Sequence, residues 1–560
     1  MVPRPSASPT KPSNWTSLIP RGNSLAPRSK PGQVLLYDTT LRDGTQGEGI
    51  SLSVEDKVKI AQSLDRLGVR YIEGGWPGSN PKDEEFFKRA RSLRFKNARL
   101  SAFGSTRRKD SPAHSDPNLA AIVRVKTPVA CIFGKSWDLH VLHALRATPE
   151  ENLTMISDSV RFLKSKGKEV IYDAEHFFDG YRANAEYALA SLKAALQAGA
   201  DNLTLCDTNG GALPHQIAEI VQDVHRHLPK APLGIHCHND SDAAVANSLE
   251  AVRQGVILVQ GTINGIGERC GNANLISIIP GVMKKLDRPC LTDVQLASLT
   301  ETSRYVSEIA NQVPHDGQPY VGHSAFAHKG GVHVSAMARH TSTYEHMGPA
   351  VVGNKRRVLV SELAGRSNMI LKAREFNVDL EKHPEAVDKI IHQVKALENQ
   401  GYHFEGAEAS FYLLVMRLVH PFKPFFDLKG FRVIVEEDKT TGGLVAEATL
   451  KVVVEGKTEH RVAEGSGPID ALDQALRRAL EKFYPGLKTM RLMDFKVRVI
   501  NATAGTAAKV RVFANSRDPD EEWGTVGVSG NIIEASWQAL RDAVEYKLLK
   551  DSQRRKPRRA

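Results

Sequence analysis

Two histidines separated by one residue stand in the stretch LGIHCHND, residues 233–240. On a strand the side chains alternate, so His236 and His238 would point to one side and Cys237 to the other. Two imidazoles on one face, at the end of a strand, form half of a metal site. A pair of this kind is by itself more often structural, so a metal site requires further ligands from elsewhere in the chain.

A second group of chemical interest is the stretch YDTTLRDGTQGEG, residues 37–49, which directly follows the apolar residues 34–36. Asp43 would add a carboxylate to the two imidazoles, and a nitrogen and oxygen ligand set favours Mg²⁺, Mn²⁺ or Zn²⁺ over a thiolate-bound metal. Arg42 has two interpretations. It either closes a turn as an ion pair, or it binds the carboxylate of a 2-oxo acid and offsets the charge that develops on the keto oxygen.

Further polar residues end other apolar stretches. Thr208, in CDTNG, could bind the same carboxylate or merely cap a strand end. In YDAEH, Glu175 and Asp173 compete for the role of the functional carboxylate. Asn272, in GIGERCGNAN, offers a side-chain carbonyl to a metal, although glycine-rich turns that contain asparagine are common.

All these residues follow short apolar runs that recur between residues 34 and 285, with helical patterns between them. The runs are VLLYDTT (34–40), VRYIEGG (69–75), ARLSAFGS (98–105), VACIFG (129–134), VIYDAEH (170–176), NLTLCDTNG (202–210), LGIHCHND (233–240) and VQGTINGIGE (259–268). Eight strand–helix repeats predict an α/β fold, a (β/α)8 TIM barrel whose site lies at the strand C-termini. The first and seventh strands lie one apart in such a barrel, so Asp43, His236 and His238 can converge.

The rest of the chain divides by composition. We predict a disordered basic extension over residues 1–33, the catalytic barrel over 34–298, helical linker subdomains over 299–405, a C-terminal α+β domain over 406–548 and a basic tail over 549–560. The C-terminal domain contains a repeat, because SGPIDALDQALRRAL (466–480) aligns with SGNIIEASWQALRDAV (529–544) after one inserted residue. Each copy places Ser-Gly at a predicted helix N-terminus, which suits either a bound carboxylate or ordinary capping.

Composition excludes several classes of protein. The chain of 560 residues is 41% hydrophobic and 25% charged, and it has no apolar run long enough for a membrane span. Nine of its eleven net positive charges lie in residues 1–30 and 551–560, where Trp15 is the single aromatic residue, so we expect no nucleic-acid binding. Five cysteines without a CxxC motif favour a reducing compartment. We therefore predict a cytoplasmic protein, with an organelle transit peptide in residues 1–30 as the alternative.

The motifs DTTLRDGTQ, HCHND and GERCGN, in this order, closely resemble those of the metal-dependent acyltransferase and lyase barrels. That family includes 2-isopropylmalate synthase, homocitrate synthase, citramalate synthase and hydroxymethylglutaryl-CoA lyase. The resemblance extends to AFAHKGGVH (325–333), which looks like the linker motif of the synthases, and to the duplicated C-terminal stretches, which look like their dimerisation and regulatory domain. Within the family, YIEGGWPGSNPKD (71–83) and AFGSTRRK (102–109) look most like the citramalate synthase branch.

The resemblance implies roles for individual residues. It implies Asp43, His236, His238 and Asn272 as ligands of a divalent metal. It implies that Arg42 polarises the keto oxygen, and that Arg42, Asp43 and Thr208 bind the keto acid.

The resemblance also implies the groups that handle protons. Glu175 matches a carboxylate near the reacting acetyl group, and His328 matches a histidine that helps to deprotonate the methyl group. The same region contains three further histidines that compete with His328, namely His315, His323 and His333.

The implied reaction joins acetyl-CoA to pyruvate and water, gives citramalate and CoA, and supplies isoleucine biosynthesis. A homodimer and a branched-chain amino-acid effector at the C-terminal domain are implied as well. Two alternatives stay open: the same chemistry on 2-oxoisovalerate, which gives isopropylmalate for leucine, and a non-catalytic amino-acid-binding regulator. A lyase is disfavoured, because the reactive cysteine of the lyase relative stands several residues before the asparagine, whereas Cys270 stands two before Asn272 and is expected only to pack.

Overall fold

The computed structural model of the chain describes residues 32–360, 365–437, 443–500, 505 and 508–555. Most of the predicted basic extension and the last five residues of the predicted basic tail lie outside this range. The chain divides into two compact units, with the boundary between Val313 and Pro314. Within the described ranges, every helix is too short or too polar to span a bilayer.

The first unit is built on a closed barrel of eight parallel strands that follow one another in sequence order. These strands are β1 (Leu35–Asp38), β2 (Tyr71–Glu73), β3 (Arg99–Ser105), β4 (Val129–Lys135), β5 (Glu169–Glu175), β6 (Asn202–Asp207), β7 (Leu233–Cys237) and β8 (Leu258–Gly261). Strand β1 pairs with β2 on one side and with β8 on the other, which closes the barrel. The prediction of an α/β TIM barrel is confirmed, and each strand falls within, or overlaps, one of the eight apolar runs.

Helices cover the connections between these strands and follow the last of them. They are α1 (Val54–Leu67), α2 (Pro81–Ala90), α3 (Pro117–Arg124), α4 (Asp138–His140), α5 (Pro149–Ser165), α6 (Phe177–Ala183), α7 (Ala185–Gln197), α8 (Pro214–His227), α9 (Ala244–Arg253), α10 (Leu275–Lys284), α11 (Asp293–Leu296) and α12 (Leu299–Ile309). Local sequence sets their ends. Ser53 and Asp56 form a capping box at the start of α1, and Gly68 ends that helix with a φ of 98°, which only glycine adopts readily.

The inside of the barrel is filled with side chains below its C-terminal mouth. An apolar layer there consists of Tyr37, Tyr71, Phe103, Val129, Cys131, Ile171 and Leu258. The hydroxyl of Tyr37 donates to Glu73 Oε1 at 2.9 Å, so this layer ends where buried polar groups begin. Because the interior is packed, a substrate can reach the strand ends only from the C-terminal face.

The second unit begins with a small parallel pair, β9 (Ala327–His328) and β10 (Arg357–Val358). Its helices are α13 (Gly331–Arg339), α14 (Arg366–Glu375), α15 (Pro384–Asn399), α16 (Glu408–Val419), α17 (Pro468–Leu480) and α18 (Ile532–Arg555). Its remaining strands form two antiparallel sheets of three, and they are β11 (Asp427–Glu437), β12 (Leu444–Val454), β13 (Lys457–Gly465), β14 (Arg491–Val499), β15 (Val510–Arg517) and β16 (Glu522–Ser529). Each sheet is followed by one helix, which confirms the predicted internal repeat.

Both repeated helix starts are engaged by an acidic residue of their own copy. Ser466 donates its backbone N–H to Asp470 Oδ2 at 2.8 Å, and Ser529 donates its hydroxyl to Glu534 Oε2 at 2.6 Å. These contacts agree with ordinary capping, which was one of the two interpretations of the Ser-Gly pairs. Helix α18 also continues through Arg555, so the first seven residues of the segment assigned to the basic tail are helical.

Candidate active site

A cavity of about 230 Å³ opens at the C-terminal mouth of the barrel. Its lining includes seven of the residues singled out in the sequence: Arg42, Asp43, Asp173, Glu175, Thr208, His236 and His238. These residues come from four different strand ends and are up to 196 positions apart in the chain, so the barrel closure brings them together. Their convergence is the central property of the site.

Strand alternation accounts for which side chains enter the cavity. Residues two apart on one strand both line it, as Asp173 and Glu175 do on β5. His236 and His238 repeat the pattern at the end of β7. Cys237, between the two histidines, is buried with 1% exposure and hydrogen-bonds Ser248 on the outer side. The period of two therefore explains the pair of imidazoles.

The two histidines present nitrogen atoms to the same point. Their Nε2 atoms lie 3.3 Å apart. Metal–nitrogen bonds of about 2.1 Å place two adjacent nitrogen ligands about 3.0–3.4 Å apart, depending on the coordination geometry. Burial is the largest cause that lowers the pKa of both rings, for His236 well below its ordinary value and for His238 to about 3. Both imidazoles are therefore neutral and can offer lone pairs to a cation.

Oxygen atoms complete the candidate ligand set. Asp43 Oδ2 lies 3.8 Å from His236 Nε2. Asp43 Oδ2 and Asn272 Oδ1 are buried without a hydrogen-bond partner in the described part of the chain. Asn272 is held beside His238 by a backbone bridge. Two orphaned buried oxygens beside two neutral imidazoles fit a divalent cation, because burial without a partner costs free energy that a cation would offset.

The carboxylate of Asp43 is turned partly away from the histidines. Its Oδ1 contacts Arg42 Nη1, and the carboxylate and imidazoles do not enclose a common point at coordination distance within the described residues. Arg42 and a cation would therefore share this carboxylate, one on each oxygen.

Glycine makes room for the asparagine. Gly267, in the loop after β8, has a φ of 158°, and a Cβ there would lie 2.2 Å from Asn272 Nδ2. Any larger residue would displace the Asn272 amide from its position beside His238.

The orientation of His236 is set by a chain of buried polar side chains that sequence reasoning did not identify. His236 Nδ1 lies 2.8 Å from Gln260 Oε1, and Gln260 Nε2 donates to Asp173 Oδ1 at 2.8 Å. The amide oxygen accepts the Nδ1 proton, so the Nε2 lone pair faces the cavity. Burial raises the pKa of Asp173 to about 7. Asp173, which competed with Glu175 for the catalytic role, thus supports Gln260.

We predict that Gln260→Leu weakens the binding of a divalent metal about 10- to 100-fold, because His236 loses the acceptor that fixes its tautomer. Titration of the metal-free protein with Mn²⁺ or Zn²⁺, followed calorimetrically, measures this change. A variant with a positioning defect regains turnover at high metal concentration, whereas a misfolded one does not.

The matched control is Gln222→Leu on the exposed face of α8, where Gln222 Nε2 donates to Gln254 Oε1 at 2.8 Å. Equal metal affinity in Gln260→Leu and Gln222→Leu would contradict the positioning role.

Arg42 is held by two carboxylates and an aromatic ring. Its Nε donates to Glu73 Oε2 at 2.8 Å, and Glu73 is fully buried. Its guanidinium carbon lies 3.7 Å from the centre of the Phe103 ring. The side chain remains 14% exposed and reaches the cavity. The ion pairs that anchor Arg42 therefore leave it in the cavity lining, and its role toward a 2-oxo acid stays a prediction.

Two further predicted residues occupy the opposite wall. Thr208 Oγ1 accepts the backbone N–H of His176 at 2.9 Å, so its own proton is available to an incoming carboxylate. Glu175 Oε2 contacts Lys135 Nζ, which comes from the end of β4. A ligand that enters the cavity would therefore encounter both the positive charge of Lys135 and the negative charge of Glu175.

His328 belongs to the second unit. Its Nε2 lies 3.3 Å from Glu345 Oε1, and Glu345 also pairs with Arg356. The role of His328 stays a prediction. The expectation that Cys270 packs is wrong, because Cys270 is exposed.

Sequence reasoning missed three residues that position the site: Glu73, Gln260 and Lys135. Each stands at or near the C-terminal end of a barrel strand. A charged or amide side chain within an apolar run is uncommon, and this by itself indicates a residue with a specific role. Their partners lie on other strands, so the sequence indicates that they are unusual without indicating what they contact.

The barrel and its polar mouth match a model of the HMGL-like family over residues 33–306. Residues 320–402 match a domain described as homocitrate synthase post-HMGL domain-like, and residues 405–548 match the LeuA allosteric (dimerisation) domain. The class of protein is therefore an HMGL-like barrel that is followed by a LeuA-type C-terminal domain.

Comparison over the whole chain narrows the class. The chain is 56% identical to the (R)-citramalate synthase of Geobacter sulfurreducens, over 93% of this chain and 98% of that protein. It is 54% identical to the (R)-citramalate synthase of Aquifex aeolicus, over 93% and 99%. A 2-isopropylmalate synthase of Methanocaldococcus jannaschii is 30% identical, over 93% and 96%. The chain belongs to the family of (R)-citramalate synthases.

Proposed function

We propose that the protein condenses acetyl-CoA with pyruvate and water to form (R)-citramalate and CoA. The observation that carries this proposal is the convergence of Asp43, His236 and His238 beside Arg42 in one small cavity, in a chain that belongs to the (R)-citramalate synthases. We further propose that the product supplies isoleucine biosynthesis. The intact set of polar groups argues against a barrel that has become a non-catalytic regulator.

Asp43, His236, His238 and Asn272 would hold the divalent metal, which when bound supplies a Lewis acid to the keto oxygen of the substrate. The remaining steps are carried by the chain's own groups. The Arg42 guanidinium donates to the keto oxygen as negative charge develops there, and its anchoring by Glu73 means that little reorganisation is needed. The Thr208 hydroxyl donates to the carboxylate of the 2-oxo acid, which fixes the keto carbon relative to Arg42.

A base must remove a proton from the acetyl methyl group before the new carbon–carbon bond forms. We assign this step to Glu175, because Glu175 lies in the same cavity as Arg42. The implied contribution of His328 stays a prediction. Lys135, in contact with Glu175, keeps that carboxylate at the rim. Hydrolysis of the resulting thioester then releases CoA and makes the overall reaction favourable.

The size of the cavity supports pyruvate as the 2-oxo acid. Trp76, Phe103 and Phe133 line one side of it, with ring centres 5.4–5.7 Å apart. This aromatic wall leaves room for a methyl group more readily than for an isopropyl group. Each additional methylene in a fitted apolar pocket changes binding by about 1–3 kcal/mol, so the wall can discriminate strongly against 2-oxoisovalerate.

We predict that Trp76→Phe narrows the preference for pyruvate over 2-oxoisovalerate about tenfold, because a smaller ring opens space in the wall. The ratio of kcat/KM for the two acids measures the preference. Trp523→Phe is the matched control, since Trp523 packs against Tyr546 in the second unit and does not line the cavity. A ratio unchanged in Trp76→Phe would contradict the role of the wall.

The activity itself is tested by CoA release from acetyl-CoA with a panel of 2-oxo acids, with and without a chelator, and by chiral chromatography of the product. We expect release with pyruvate, loss of release on chelation and recovery on addition of a divalent metal. Release that is fastest with 2-oxoisovalerate, or absent with every 2-oxo acid, would overturn the proposal.

We also propose that the second unit forms a homodimer. Strands β11 and β14 expose large apolar side chains, among them Val435, Met493 and Val499 at 50–52% exposure. Exposed apolar clusters of this kind mark interaction surfaces, and the LeuA model that matches this region describes a dimerisation domain. A branched-chain amino acid remains the proposed effector of the same domain.

A further inference from the structure

Trp76, which belongs to the aromatic wall of the active-site cavity, is held by two residues that lie outside the cavity lining. Its indole Nε1–H donates to Asn118 Oδ1 at 2.7 Å, and its backbone N–H donates to Asp83 Oδ2 at 2.8 Å. Trp76 follows strand β2, whereas Asp83 belongs to helix α2 and Asn118 to helix α3. The side chain and the backbone of this tryptophan are therefore anchored separately.

The amide of Asn118 joins the tryptophan to the end of strand β3. Asn118 Nδ2 donates to the carbonyl oxygen of Ser105 at 2.6 Å, while the amide oxygen accepts the indole proton. A reversed amide would place its NH₂ group against the indole N–H and its oxygen against the carbonyl, so the two contacts together select one orientation. Phe103, another member of the wall, lies on the same strand as Ser105. The amide thus fixes the position of Trp76 relative to Phe103.

The space around this amide is fitted to it. A Cβ at Gly104 would lie 2.8 Å from Asn118 Oδ1, and a Cβ at Gly78 would lie 3.2 Å from the same atom. The carboxylate of Asp116, which is fully buried, accepts the backbone N–H of Asn118 at 3.0 Å at the start of α3. The fold therefore places the acceptor for the indole before any substrate binds.

The backbone anchor of Trp76 is a buried ion pair. Lys57 and Asp83 are 2% and 5% exposed, and Lys57 Nζ contacts Asp83 Oδ1. Lys57 Nζ also donates to the carbonyl oxygen of Gly74 at 3.2 Å. This pair fixes where the chain leaves β2, but it does not restrain the ring. Because an indole carries a single N–H group, the bond to Asn118 is the hydrogen bond that holds the ring.

The arrangement of the wall makes its width sensitive to the indole. The ring of Trp76 meets Phe103 and Phe133 edge-on, with interplanar angles of 85° and 81°. The two phenylalanine rings stack on each other at 5.4 Å, and Phe103 is also covered by the Arg42 guanidinium. Rotation of the edge-on indole changes the width of the cavity more than rotation of either stacked ring, because the stacked rings restrict each other. The hydrogen bond to Asn118 opposes that rotation.

We propose that Asn118 is a positioning residue for substrate choice, because its amide holds the Trp76 indole where it admits a methyl group and excludes an isopropyl group. The inference rests on the proposed function, in which the wall faces the alkyl group of the 2-oxo acid. Asn118 acts through Trp76 and does not itself touch the substrate. Loss of the amide lets the indole turn aside, so larger 2-oxo acids gain access while pyruvate still binds.

The test is Asn118→Leu, which keeps the size of the side chain and removes both the acceptor for the indole and the donor to Ser105. We expect the ratio of kcat/KM for pyruvate to kcat/KM for 2-oxoisovalerate to fall about tenfold. The change should come mainly from a lower KM for 2-oxoisovalerate, with the KM for acetyl-CoA unchanged. Asn118→Asp retains the acceptor and loses the donor, so it should give a smaller change of the same kind.

A double-mutant cycle separates this role from a general effect on the fold. Asn118→Leu should change the ratio in the wild-type background and leave it unchanged in the Trp76→Phe background, because phenylalanine has no N–H group for the amide to hold. Equal changes in both backgrounds, or an unchanged ratio in the wild-type background, would overturn the inference.

Asn97→Leu is the matched control. Asn97 Nδ2 also donates to a backbone carbonyl, that of Asp65 at 2.8 Å, but Asn97 precedes β3 and so lies at the end of the barrel opposite to the site. Its replacement should leave the ratio unchanged. A fall in Asn97→Leu as large as that in Asn118→Leu would also overturn the inference.

Calorimetric binding of the two 2-oxo acids separates this inference from the proposed reaction. If the protein releases no CoA with any 2-oxo acid, the proposed function fails, yet a relative gain in 2-oxoisovalerate binding by Asn118→Leu over Asn97→Leu would still support the positioning role. An unchanged ratio of the two affinities in Asn118→Leu would overturn that role even in an active enzyme.

Discussion

Asp43→Asn should lower kcat/KM about a thousandfold and abolish stoichiometric binding of the divalent metal. The substitution keeps the shape of the side chain and removes the negative charge that faces His236 at 3.8 Å. Lewis-acid stabilisation of a developing charge contributes several kcal/mol, and each 1.36 kcal/mol is a factor of ten in rate. Metal content by mass spectrometry and CoA release with pyruvate measure the two effects.

The control for this experiment is Cys237→Ala. Cys237 stands between the two histidines, and its side chain is buried away from the cavity. Its replacement should leave metal content and turnover close to those of the wild type. Full activity of Asp43→Asn after chelation would show that the carboxylate and a metal are not required, and the proposed reaction would have to be abandoned.

The second large effect is expected for Arg42→Lys. Lysine keeps the positive charge and loses the planar fork, so it cannot pair with Glu73, contact Asp43 and donate to a keto oxygen together. Removal of one donor to a developing oxyanion costs about 10²–10³ in kcat. We expect a loss of this size in kcat with pyruvate, while metal content is retained, because the substitution leaves the metal ligands in place.

Arg70→Lys provides the comparison. Arg70 also lies over an aromatic ring, with its guanidinium carbon 5.8 Å from the centre of the Tyr71 ring, and it precedes β2 at the end of the barrel opposite to the site. Arg70→Lys should therefore leave turnover unchanged. If Arg42→Lys raised only the KM for pyruvate and left kcat intact, Arg42 would bind substrate without stabilising the transition state.

Much of the fold could be predicted because its signals are local. The eight apolar runs, each ending in polar residues, alternate with helical patterns, and this rhythm predicts a parallel barrel without knowledge of any contact. The repeat in the C-terminal domain could be recognised for the same reason, because two of its segments are similar in sequence: SGPIDALDQALRRAL and SGNIIEASWQALRDAV. Short strands without an alternating pattern of their own, such as β9 and β10, were not identified.

The site was predicted in part. Asp43, His236 and His238 were identified because their residue types and strand-end positions indicate ligands. Asn272 was a weaker candidate on its own, and the structure adds its buried, unpartnered oxygen. The choice between Asp173 and Glu175 could not be made, because both have the same spacing on β5 and differ only in what they contact.

Strand alternation is a property of the local backbone, so it can be read from the residue order that His236 and His238 face one side and Cys237 the other. Which of these side chains meet depends instead on contacts between distant parts of the chain. Gln260 orients His236 across two neighbouring strands, and Glu73 anchors Arg42 from the strand next to β1. Such contacts depend on the closure and register of the barrel, and many residues far apart in the chain determine these jointly.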